Sequence, residues 1–175
     1  YQPDRRRFSG FADVYDQHRP SPPPDLAVIL CGLAGVSLPA LVVDLGCGTG
    51  LSTRYWAEKA HQVTGIDPTE DMLRQARLAT PQSNVVYISG VSHDTGLPAA
   101  CADIVTCSQS FHWMEPEGTL HEARRILRDG GVFATCDYDW PPLTLSWRVS
   151  KAFQDVLGRV RSYERSTGSS TRRWD

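Results

Sequence analysis

The residues best suited to chemistry lie in the run Val42-Val43-Asp44-Leu45-Gly46-Cys47-Gly48-Thr49-Gly50. Alternating glycines let a chain turn tightly after a strand and let a ligand lie against bare main chain. A helix starting near Gly50 turns unpaired N–H groups and a partial positive end toward that loop, which suits a carboxylate or phosphate. About twenty residues on, Asp67 closes a second apolar run and offers two acceptors for the two hydroxyls of a ribose. Asp67 also reads as the N-cap of a helix running on from Thr69, and Asp44 reads equally as a ligand contact or as a cap on the loop backbone. Loop and acid together imply a nucleoside-like ligand. Leu51 stands where the dinucleotide fingerprint wants Gly or Ala, and no Gly-Lys-Ser/Thr follows at P-loop spacing.

His112, flanked by Phe111 and Trp113, is placed just after the end of the fourth expected strand. It could take a substrate proton as a general base, or line a wall with its aromatic neighbours. His18, His61, His93 and His121 have no metal-ligand spacing, and no metal is expected.

These residues need a scaffold, and the chain supplies one in alternating apolar runs and amphipathic segments, the pattern of a parallel sheet covered on both faces. Strands are expected at Leu41 to Leu45, Gln62 to Asp67, Asn84 to Ser89, Asp103 to Ser108 and Val132 to Asp137. Helices are expected at Leu51 to Ala60, Thr69 to Ala79 with Met72, Leu73 and Ala76 inward, and Glu117 to Leu127, with Asp129-Gly130-Gly131 as the turn into the last strand. Ahead of the sheet, residues 1–40 read as N-terminal cap helices broken by Pro22-Pro23-Pro24. In the second, Asp25 caps a stripe of Leu26, Ile29, Leu30 and Leu33. After Pro141-Pro142 a long amphipathic helix from Ser146 to Arg161 carries Val149, Ala152, Phe153, Val156, Leu157 and Val160. Its stripe is expected to pack in its own domain, and 138–175 to begin a substrate cap.

At 175 residues, 41% hydrophobic and 22% charged, the chain has room for a single globular domain. A net charge of −2, with Arg5-Arg6-Arg7 and Arg172-Arg173 reading as solvated termini, leaves no basic footprint for nucleic acid. No apolar stretch reaches membrane-spanning length, and the polar start is unlike a secretory signal. Five cysteines without a Cys-x-x-Cys pair argue against zinc and disulfide frameworks and for a cytoplasmic, reducing setting.

The acidic-then-Gly-x-Gly-x-Gly order of Asp44 to Gly50 resembles the first motif of class I S-adenosylmethionine-dependent methyltransferases of the methyltransferase type 11-like group. The likeness continues through Val63 to Pro68, Gly90 to Pro98, Asp103 to Val105, Phe111 to Trp113 and Leu127 to Gly131. Phe8-Ser9-Gly10 to Tyr15, with Arg19-Pro20, is similar to the lead-in of trans-aconitate-type members.

The resemblance implies a Rossmann-like α/β three-layer sandwich with a mainly parallel twisted sheet, whose usual terminal antiparallel hairpin is missing or truncated here. It implies a small-molecule methyl acceptor and S-adenosylmethionine as cofactor. The backbone of Gly46, Cys47 and Gly48 would face the methionyl part, and Asp67 would hold the ribose. Val91, Ser92 and His93 would run along adenine, with Pro68 and Met72 as apolar walls. Ser108 and Gln109 would meet the methionyl end, and Tyr15 and Arg19 would close over it. His93 replaces the acidic residue relatives often carry toward the adenine amino group. Two other classes share parts of the pattern, a nicotinamide-dependent oxidoreductase and a non-catalytic S-adenosylmethionine-binding protein.

Overall fold

A computed structural model describes residues 21–137 and 146–167. The chain divides into two compact units, residues 1–136 and 137–175.

The first unit is built on five parallel strands: β1 (Leu41–Leu45), β2 (Gln62–Asp67), β3 (Val85–Ser89), β4 (Ala102–Ser108) and β5 (Leu127–Cys136), in the order β3-β2-β1-β4-β5. β1 is central and buried on both faces, which is why it reads as an unbroken apolar run rather than an alternating one. Val42 packs with Val63 and Ile104 under α1 (Leu26–Leu33) and Trp56 of α2 (Leu51–Trp56). Tyr87 packs on the same side with Leu73 and Ala76 of α3 (Glu70–Ala79). Val43 and Leu45 point the other way, toward Ala123 and Ile126 of α4 (Pro116–Ile126). The result is the expected Rossmann-like three-layer arrangement. No antiparallel hairpin joins the sheet among the described residues.

Four local expectations need correction. Asp25 makes no side-chain cap on α1; the Ala27 N–H donates instead to the Tyr55 hydroxyl at 2.9 Å, which in turn donates to the Pro24 carbonyl at 3.0 Å. The tyrosine closes the helix start from a distant element, and the buried face of α1 turns accordingly. Ala27 and Leu30 go inward, while Ile29 and Leu33 of the expected stripe stay exposed.

α2 stops at Trp56 rather than Ala60. Its continuation tightens into turns closed by Ala57 N–H to Arg54 O and Lys59 N–H to Trp56 O, because the fully buried Trp56 brings the chain back onto the sheet.

Asp129-Gly130-Gly131 is not a turn ahead of a strand but part of β5, which begins directly after α4. Pairing runs from Ala102↔Leu127 to Ile104↔Val132, so residues 128–131 bulge opposite Asp103, with Gly130 at φ +76° where a side chain would be strained. The bulge delivers Arg128 to the Asp103 carboxylate, which also accepts the N–H groups of Ala40 and Leu41 at 2.6 and 3.0 Å.

In the second unit α5 (Trp147–Thr167) extends past the expected Arg161. Along it Phe153 and Leu157 of the apolar stripe are half-buried, and Val149, Val156 and Val160 are exposed.

Candidate functional site

In a parallel sheet, ligands bind beyond the carboxyl ends of the strands, where the strand order reverses. Here that point falls between β1 and β4, and the segments after β1, β2, β3 and β4 carry Gly46 to Gly48, Asp67 and Pro68, Val91 to His93, and Ser108 and Gln109. Tyr15 and Arg19 lie outside the described residues.

Asp67 ties the first two segments together. Its Oδ2 accepts the Gly48 N–H at 3.0 Å and its Oδ1 the Thr69 N–H at 2.8 Å. The cap position of α3 belongs to Thr69, so the capping reading of Asp67 holds only in the sense that its carboxylate braces the turn before the helix. Burial raises its pKa, against the two N–H groups that favour the charged form. Each carboxylate oxygen can still accept a further hydrogen bond. Beside it, a Cβ on Gly48 would meet nothing within 4 Å, so the main chain there borders open space.

Asp44 lies beneath the loop, fully buried, accepting hydroxyl hydrogen bonds from Thr53 at 2.7 Å and Thr106 at 3.1 Å. Burial pushes its pKa up to about 6 despite those two donors. Its partners are thus these two hydroxyls rather than the loop N–H groups that the capping reading called for. Cys47 is also buried, and burial drives its thiol well above the ordinary range, with Asp67 and Asp44 adding to the rise.

The loop rests on residues the sequence did not single out. Ser110 Oγ donates to the Leu45 carbonyl at 2.7 Å, and a Cβ on Gly46 would stand 2.6 Å from Ser110 Cβ and 2.7 Å from Met114 Cε. Gly50, at φ +80°, lies against Tyr87, whose hydroxyl would be 2.2 Å from an added Cβ. Thr106 was findable in principle, since it pairs in register with Asp44; Tyr87 and Ser110 carry no local signal.

Gln109 adopts φ +57°, a left-handed conformation that costs a non-glycine residue roughly 1–3 kcal/mol and is held at functional sites where surrounding structure fixes it. Its N–H donates to the Cys136 carbonyl at 2.8 Å. Met72 is 3% exposed and packs inward on α3, so it backs the site more than it lines it.

Val91 and Asp94 bridge across a tight turn after β3, and Ser92 is held to Thr119 by a 2.7 Å hydroxyl contact. His93 is exposed, its Cβ close over Gly118. His112 sits in a single helical turn, Phe111–Trp113, its ring 4.9 Å from that of Trp113. Phe111 stacks edge-on to Phe133 against the core, which makes it a packing residue. Among the described residues no group of three or more His, Cys, Asp or Glu side chains could hold a metal, and no helix is long and apolar enough to cross a membrane.

Comparison with known proteins agrees with this fold. Residues 43–135 match the model of the methyltransferase domain family. An uncharacterized methyltransferase of Mycobacterium bovis is 35% identical over 124 residues, covering 71% of this chain and 49% of that one. A trans-aconitate 2-methyltransferase of Azoarcus sp. is 41% identical over 98 residues, 54% of this chain and 38% of the other. Among solved structures, an S-adenosylmethionine-dependent methyltransferase from Mesorhizobium loti superposes with a TM-score of 0.55 at 28% identity, over 66% of this chain and 55% of that one. The chain spans about half the length of the first of these relatives.

Proposed function

We propose that this chain, which belongs to the methyltransferase domain family, binds S-adenosylmethionine and transfers its methyl group to a small-molecule acceptor. The observation that carries the reading is the junction of Gly48 and Asp67: bare main chain bordering open space, braced by a carboxylate with acceptor capacity left. The residues present fit this cofactor. Asp67 takes the ribose hydroxyls, Gly46 to Gly48 run beside the methionyl part, and Val91 to His93 follow the adenine. Ser108 and Gln109 meet the methionyl end, with Tyr15 and Arg19 completing the enclosure. Two buried carboxylates at one loop also suit a ligand with positive sulfonium and ammonium groups better than the dianionic pyrophosphate of a nicotinamide cofactor.

When bound, S-adenosylmethionine supplies a methyl carbon already activated by its sulfonium. The protein is left to align the acceptor with that carbon and to keep water out. His112 takes a proton on its imidazole where the acceptor must lose one. The five free thiols fit a reducing cytoplasmic setting, and the net charge of −2 favours no nucleic-acid partner.

Calorimetric titration with S-adenosylhomocysteine and with NAD tests the reading. Micromolar binding of the first alone is expected; binding of NAD alone would place the chain with the oxidoreductases. A panel of carboxylate, phenol and amine acceptors then separates an enzyme from a protein that only binds the cofactor.

A further inference from the structure

One face of α4 is given over to the segment that follows β3. At Gly118 a Cβ would stand 2.9 Å from that of His93, so the missing side chain lets the turn seat on the helix. Thr119, fully buried, shares its hydroxyl with Ser92 at 2.7 Å. One turn on, Glu122, 7% exposed, accepts on Oε1 both the Thr95 N–H, at 2.9 Å, and the Thr95 hydroxyl. Arg125 completes the stripe. It donates from Nε to Glu122 Oε2 at 2.6 Å, and from one terminal nitrogen to Glu122 Oε1 and the Leu97 carbonyl, each at 2.7 Å. Those hydrogen bonds hold the Glu122 carboxyl down at about 2, so it stays ionised across the physiological range.

An aliphatic stripe would pack α4 on the sheet at least as well, since an ion pair with one partner exposed adds little stability. What the polar stripe provides is a fixed position for the main chain of residues 91–95. That segment is anchored at its start by the Gly90 N–H on the Asp67 carbonyl at 3.2 Å, so it is held at both ends.

We infer that Glu122, with Thr119 and Arg125, is a positioning group that holds residues 91–95 against the base of the cofactor and thereby sets its selectivity for adenine. The inference rests on the reading of S-adenosylmethionine as cofactor with Val91 to His93 along its base. Adenine presents an amino donor beside a ring-nitrogen acceptor, and hypoxanthine presents the reverse. Discrimination between them depends on hydrogen-bond geometry that weakens steeply with displacement and misalignment. A loosened loop loses this selectivity before it loses the rest of the binding.

The test is calorimetry on the full 175-residue chain with S-adenosylhomocysteine and S-inosylhomocysteine. The unaltered protein is expected to favour the adenosyl compound by about 100-fold, the effect of two good hydrogen bonds. Glu122→Ala and the isosteric Thr119→Val are each expected to cut that ratio about tenfold, the effect of one good hydrogen bond. Glu122→Gln, which keeps an acceptor for Thr95, retains most of it, and Leu120→Ala on the exposed face of α4 leaves it unchanged. Should Glu122→Ala fail to fold, Thr119→Val decides. An undiminished ratio in the folded variants overturns the positioning role and leaves the cofactor reading intact; absence of S-adenosylhomocysteine binding in the unaltered protein overturns both.

Discussion

The carboxylate of Asp67 accepts the N–H of Gly48 at 3.0 Å, which binds the end of β2 to the loop that follows β1. One side chain therefore shapes the loop, and in the proposed reading it also holds the ribose. Asp67→Ala is expected to weaken S-adenosylhomocysteine binding by about 10- to 100-fold, the loss of one or two charge-assisted hydrogen bonds. Asp67→Asn should fall between, because its amide can accept on only one of its two terminal atoms. Titration calorimetry reads both, and equal affinity in all three proteins would remove Asp67 from the site.

Gly50 and Tyr87 compete for one volume. Gly50→Ala places a methyl 2.2 Å from the tyrosine hydroxyl and 2.8 Å from its ring carbon, on a backbone at φ +80°. A destabilisation of about 2–4 kcal/mol is expected, from overpacking and backbone strain together. Adding Tyr87→Phe should recover part of it by removing the nearer atom. Urea denaturation of the two single variants and the double variant measures the coupling, and strict additivity would show that the two residues do not share the space.

Asp44 gives the fold a pH dependence of predictable sign. Its carboxyl rises from 3.8 to about 6 on folding, so between those values the native state binds more protons than the unfolded chain. The stabilising contribution is complete below about pH 4 and lost as pH rises through 6, amounting to at most about 3 kcal/mol. Asp44→Asn abolishes it. The stability difference between Asp44→Asn and the unaltered protein should therefore shift in favour of the variant from pH 4 to pH 7, followed by denaturant titration at each pH; a constant difference would mean that Asp44 titrates normally.

His112→Ala separates a proton acceptor from a wall. As a general base, His112 accounts for about 10²-fold or more in turnover, and its removal takes the acidic limb out of the pH–rate profile. His112→Gln, which keeps much of the bulk, should be as slow as alanine. If turnover and profile are unchanged in both, the imidazole only packs beside Trp113.

Much of the sheet was legible because each strand is a short apolar run bounded by turn residues, and β1 and β2 begin and end where the sequence places them. Elements governed by distant partners were not. The start of α1 is closed by Tyr55, and no local pattern around Asp25 reveals that. The bulge in β5 looks like a turn because Asp-Gly-Gly is turn chemistry, and only pairing with β4 makes it part of a strand. At the site, Asp67 and the glycine loop announce themselves by spacing. The supports beneath them, Tyr87, Ser110 and Met114, are ordinary core-type residues whose role exists only once the strands lie side by side.

The central position of β1 also has a kinetic side. Asp44 on β1 finds the Thr106 hydroxyl of β4 62 residues later in the chain. One edge of β1 is covered early, by β2, while the other waits for those 62 residues to be made. Closing so long a loop is slow, and an apolar strand with an unpaired edge is a template for association with other chains. For this molecule the interval between synthesis of β1 and arrival of β4 is the vulnerable stage of folding, and chains ended within that interval belong in the insoluble fraction.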